Sequence, residues 1–88
     1  MKNNQTYAVD FLRVCLKEYL SAYNVSCLSS LVGAKENSVD GIMATEDWEY
    51  ILSYCNDIND VFADAFRVCS ECGGLMTEGF YDEGDYYC

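Results

Sequence analysis

Six cysteines in 88 residues, with no histidine, set the chemistry open to this chain. Cys69 and Cys72 stand in the run Val68-Cys69-Ser70-Glu71-Cys72-Gly73-Gly74, and Cys88 follows Tyr86 and Tyr87. Two thiolates in a C-x-x-C spacing reach one tetrahedral ion when the backbone turns tightly between and after them. Gly73 and Gly74 permit the positive φ values of such a turn. Cys69, Cys72 and Cys88 are therefore the candidate metal ligands, with structural Zn2+ as the expected ion. The fourth ligand stays open among Cys55, Cys27, a carboxylate, water and a residue beyond Cys88. Read without metal, the same three cysteines are thiols or disulfide partners. Three ligands and an open position would also suit catalytic zinc, but the chain has no histidine to act there as further ligand or base, so a structural site is expected.

The knuckle and the returning cysteine resemble part of a zinc ribbon. The likeness covers Val68–Cys88, about a quarter of the chain. A full ribbon carries a second C-x-x-C pair, and this chain has only Cys88 in that place. The expected backbone is a short strand through Leu75, Met76, Phe80 and Tyr81, a turn centred on Gly84 within Asp82-Glu83-Gly84-Asp85, and a return strand Tyr86–Cys88.

Helices must deliver the chain to that knuckle. Apolar residues at Tyr7, Phe11, Leu12, Cys15, Leu16, Tyr19, Leu20 and Tyr23 predict an amphipathic helix over about 6–22, capped by Asn4 or Thr6 and ended near Asn24. Val25, Cys27, Leu28, Leu31 and Val32 fit either a short helix or a buried strand; a short helix from Ser26 to about Val32, stopped by Gly33, is the expectation, then a loop from Lys35 to Gly41, after which Ile42 and Met43 return to the core. Thr45 as N-cap opens a second long helix over about 46–67, with Glu46 and Asp47 in its first turn and Arg67 in its last, as the helix dipole favours. Trp48, Ile51, Leu52, Cys55, Ile58, Val61, Phe62, Ala65 and Phe66 form its apolar stripe. The fold class expected is α+β, mostly α, in one domain: a helical part over 1–67 and a zinc-knuckle hairpin over 68–88.

Charge is unevenly spread. Residues 1–35 carry four bases and two acids, whereas residues 36–88 carry thirteen acids and one base, Arg67. Such a surface repels nucleic acid, which is bound through Lys and Arg at phosphates, and argues against anionic membranes. No apolar run has the length of a membrane span, and no signal-peptide core follows the N-terminus, so a cytoplasmic location with reduced thiols is expected. Glu49, Asp57, Asp60 and Asp64 fall on the outer face of the second long helix, and Asp82, Glu83 and Asp85 crowd the hairpin turn. Tyr81, Tyr86 and Tyr87 lie among them. Read as a solvated surface, the acids keep the protein soluble. Read as an interface, they steer it to a basic protein surface and the tyrosines anchor it.

Enzyme chemistry has little to stand on: there is no histidine, no nucleophile elbow and no phosphate-binding glycine loop. A redox role for Cys69-x-x-Cys72 lacks the βαβ setting that usually carries it. In size, acidity and lack of targeting signals the chain resembles the small acidic anti-CRISPR proteins encoded by phages. That resemblance, which rests on no shared motif, implies an inhibitor that covers a basic nucleic-acid surface of a type II CRISPR effector nuclease in the bacterial host cytoplasm and blocks DNA loading. The alternative is a small zinc-ribbon adaptor or transcription-associated factor that binds a host protein.

Overall fold

Helical periodicity near the N-terminus produces α1 (Asn4–Tyr19), the first element of a computed structural model that describes residues 4–77, 80–82 and 85–87, with side-chain surroundings for 7–77 and Tyr87. Ala8, Leu12, Cys15 and Leu16 are its buried positions. The helix stops earlier than the apolar pattern suggests, because Ser21 takes extended backbone and its hydroxyl accepts from the Asn24 N–H at 3.2 Å. Ser21 thereby caps α2 (Ala22–Leu31), which starts sooner than expected. Asn24 thus lies in the first turn of α2 and does not end α1.

Beyond Gly33 the chain bends through 34–38 into α3 (Val39–Ala44), a helix that the sequence pattern left as loop. Ser38 caps it, accepting from the Gly41 N–H at 3.1 Å. The buried hydroxyl of Ser29 in α2 donates to the Glu36 carbonyl at 3.0 Å and ties the bend down. Gly41 packs against that same Glu36 carbonyl so closely that no side chain fits between them. Ile42 and Met43 are buried, as their apolarity implies.

The expected helix over 46–67 is much shorter. α4 spans Trp48–Ile58. Thr45 is not its N-cap: the Thr45 hydroxyl donates to the Ile42 carbonyl at 2.7 Å and closes α3, and Glu46 follows with a left-handed φ of 55°. Asn59 ends α4 by going extended, and its side-chain oxygen accepts from the Val61 N–H at 2.9 Å. A side chain that satisfies local N–H groups competes with the helix, and here it starts a 3-10 turn, Asp60–Phe62. Phe62 and Phe66 remain buried, but Ile58 and Val61 are exposed. Arg67 is not in a helical last turn; it lies in β1 (Arg67–Val68), and its guanidinium donates to the Phe66 carbonyl at 2.6 Å and the Ala63 carbonyl at 3.2 Å.

Two short antiparallel pairs complete the fold. β1 pairs with β2 (Leu75–Met76) across the knuckle, Arg67 opposite Met76 and Val68 opposite Leu75. β3 (Phe80–Asp82) pairs with β4 (Asp85–Tyr87), Tyr81 directly opposite Tyr86 and Asp82 opposite Asp85. The expected single ribbon hairpin is thus divided in two, and the return strand begins at Asp85. β2 packs under α1, and Leu75, Phe62 and Phe66 join Leu12, Leu16, Ile42, Ile51 and Leu52 in one core. The knuckle hairpin and the helices share that core; the helical part does not own a separate one. The class is α+β, mostly α.

Candidate metal knuckle and acidic surface

The residues from Cys69 to Gly74 form the turn between β1 and β2. The Cys69 N–H donates to the Gly74 carbonyl at 2.8 Å, and the Gly73 N–H donates to the Cys69 carbonyl at 2.9 Å. Gly73 has a φ of 68° with open space where a Cβ would sit, so its requirement is conformational and not steric. This is the tight turn that a C-x-x-C pair needs to present both sulfurs to one ion. Cys69 is buried and Cys72 is exposed at its outer edge.

Cys88 lies outside the described residues, but the strand before it does not. β4 lies against β1, so Tyr87, the neighbour of Cys88 in sequence, belongs to a strand beside the one that leads into Cys69. Cys69 and Cys72 fit zinc in type: two thiols on one tight turn. Among the described residues no group of three Cys, Asp or Glu side chains is close enough to hold a metal. Among the described residues Cys55 and Cys27 form no such group with Cys69 and Cys72. Cys55 is fully buried in the helical core. Burial first, and then the neighbouring Cys15, push its thiol up to about 12. Burial, with a smaller contribution from Glu18, also raises Cys15. Burial thus disfavours the thiolate form of both side chains. Cys27 is half-buried on α2 beside Tyr23 and Tyr54. A hydrogen bond with Cys27 is the main cause of the upward shift of Tyr23, and burial is the main cause for Tyr54.

The acidic residues are distributed differently from the expected single helix face. Glu49 and Asp57 are exposed on α4, while Asp60 opens the 3-10 turn and Asp64 lies beyond it. The spacing that would align Asp57, Asp60 and Asp64 on one helix is broken at Asn59. Asp64 is fully exposed and stands 3.9 Å from the Arg67 guanidinium, a weak surface contact. Asp82 and Asp85 face each other in register at the end of the β3–β4 pair, and Tyr81 and Tyr86 are paired in it; their side chains lie outside the described set, as does all of Glu83. Tyr87 is half-buried.

The sequence pattern did not single out the outer flank of α1. Tyr7, Phe11 and Val14 are 58%, 47% and 49% exposed, although Tyr7 and Phe11 were expected in the core. Their i, i+4, i+7 spacing was legible, but the helix has more apolar positions than one buried face accommodates. A cleft of about 510 Å³ lies between the bend after α2 and α3, lined by Val32, Lys35, Glu36, Asp40 and Thr45 among others. None of its lining residues belongs to the knuckle, and its Asp40 carboxylate already faces Arg13 at 3.6 Å.

No protein-family model matches the chain, no curated protein matches it, and no solved structure matches it. Among the described residues no helix is long and apolar enough to cross a membrane.

Proposed function

We propose that this protein is an acidic, zinc-binding protein-interaction module: Cys69, Cys72 and Cys88 hold a structural Zn2+, and the acidic surface engages a basic surface on a partner protein. The observation that carries the metal half is the turn at Cys69–Gly74 together with the adjacency of β1 and β4. Zinc there would supply thiolate bonds that fasten the last strand to the knuckle, a common aid for a domain this small. The charge of residues 36–88 carries the other half: thirteen acids against Arg67. Glu49, Asp57, Asp60 and Asp64 are exposed, which leaves them available for a partner's lysines and arginines. Exposed charges act mainly on association rate and specificity.

The partner we favour is the basic nucleic-acid surface of a type II CRISPR effector nuclease, covered in the bacterial cytoplasm so that DNA loading is blocked. This follows the chain's likeness in size and acidity to anti-CRISPR proteins. A DNA-loading assay on the effector, with and without the protein, tests it; loading that is unaffected at saturating protein rejects this partner. Retention of a host RNA polymerase on immobilised protein would instead favour the adaptor reading. The charge mechanism has its own test. Replacing Asp57, Asp60 and Asp64 together by Asn should slow association with the partner and flatten its salt dependence, with folding intact. A folded triple variant that associates at the wild-type rate sinks the charge mechanism.

A further inference from the structure

We propose that the outer flank of α1, formed by Tyr7, Phe11 and Val14, together with the Phe62–Phe66 segment that it meets through Phe66, is a docking face for a cationic amphipathic helix of a partner protein. The proposal deepens the acidic-surface half of the reading above and does not depend on its metal half.

Three observations carry it. First, the apolar side chains are aligned. Tyr7, Phe11 and Val14 recur over two turns of α1, about 10 Å of helix, and each keeps roughly half of its surface in water. Second, the stripe meets the segment that carries Asp64. Phe11 lies on Phe66 with ring centroids 5.3 Å apart, and Phe66 packs on Phe62 at 6.2 Å. Between these two rings in sequence the chain exposes Ala63 and Asp64, and just before them Asp60 and Val61. The i+4 position beyond Val14 is Glu18, also exposed, so the stripe has carboxylates at its end and along its side. Third, charge selects the occupant. A second copy would bring a net charge of −10 against an equal charge, which disfavours self-association. An anionic membrane is disfavoured on the same ground. A helix with leucine-like residues on one face and lysines or arginines on its flanks meets both features at once: apolar ridge against Tyr7, Phe11 and Val14, cations against Asp64 and Glu18. Of the bases on α1, Arg13 is turned to Asp40, and the exposed Lys17, three residues beyond Val14, is followed directly by Glu18.

The probe is a synthetic helix of about five turns with leucines on one face and lysines elsewhere, compared with a scrambled peptide of the same composition. Fluorescence anisotropy at low salt should show the patterned peptide binding and the scrambled one about tenfold weaker. Tyr7→Ser with Val14→Ser should weaken the patterned peptide by a similar factor, with the circular dichroism spectrum unchanged. Val14→Ser alone, expected to lose several-fold, keeps the test decisive if the double variant folds poorly. Equal binding of both peptides, no binding of either, or wild-type affinity in the serine variants overturns the proposal. A wild-type dimer in sedimentation that the serine variants dissociate also overturns it, because the occupant is then a second copy. If neutralising Asp57, Asp60 and Asp64 weakens the peptide while the serine changes do not, the docking face fails and the acidic-surface reading survives. If the serine changes weaken it and neutralisation does not, the cationic character of the partner fails together with that reading.

Discussion

Gly41→Ala opposes two physical effects, and the structure says which prevails. Gly41 lies inside α3, where alanine is favoured by up to about 1 kcal/mol over glycine. Propensity alone therefore predicts a more stable protein. A Cβ at this position, however, would overlap the Glu36 carbonyl oxygen and sit 2.9 Å from its carbon. These are backbone atoms, held by the Ser29 hydroxyl at 3.0 Å, so they cannot swing away as a side-chain end would. Forcing the bend outward costs about 1–3 kcal/mol for overpacking. Stretching the Ser29–Glu36 hydrogen bond adds about 0.5–1.5 kcal/mol. The net expectation is destabilisation by about 1–3 kcal/mol, a fall in Tm of about 5–20 °C for a domain of this size. Thermal and urea unfolding followed by circular dichroism measure it. The coupling can be read as well: Ser29→Ala should cost less in the Gly41→Ala background than in the wild type, because both act on the same carbonyl. A Gly41→Ala variant as stable as the wild type, or more so, would refute the close packing of α3 on the 34–38 bend.

The core thiols make stability sensitive to alkali. Cys55 is raised from 9.0 to about 12 in the folded chain, so its contribution is fully present below the ordinary thiol range and is lost as pH rises toward 12. Between pH 9 and 12 the unfolding free energy should fall by up to about 1.4 kcal/mol per pH unit on account of this thiol. Cys55→Val should show a shallower fall, and an identical slope in the two proteins would remove Cys55 as the cause. Double-stranded DNA should not bind at physiological salt, given thirteen acids and one base over residues 36–88. A salt-sensitive gel shift at micromolar protein contradicts that expectation.

The sequence was most legible where one force acted alone. Leu12, Cys15 and Leu16 follow the helical period and are buried, and Trp48, Ile51, Leu52 and Cys55 do the same in α4. The C-x-x-C-G-G spacing specified a tight turn, and Gly73 adopts the positive φ that it requires. Legibility failed where a polar side chain competes with the helix for backbone groups. Asn59 caps a new turn inside an unbroken apolar stripe, and Thr45 closes the preceding helix where it was expected to open the next. Neither choice changes the hydrophobic period, so periodicity could not reveal it. The acidic face expected from Asp57, Asp60 and Asp64 fails for the same reason, because its alignment needs a helix running through Asp64 and α4 ends at Ile58. Tyr7 and Phe11 were misplaced for a different reason. α1 has apolar residues on two flanks, and the packing of β2 and α3 against it decides which flank is covered.

The central claim is a metal at the knuckle, and elemental analysis of protein purified without chelator tests it most directly. The account predicts about one zinc per chain, lost in Cys69→Ser and in Cys88→Ser. Since Leu75 belongs to the shared core, the zinc-free variants should also melt lower in the helical signal, and chelator should lower the wild type toward them. Wild-type protein that contains no metal, binds none on titration with zinc and melts identically with and without chelator contradicts the claim.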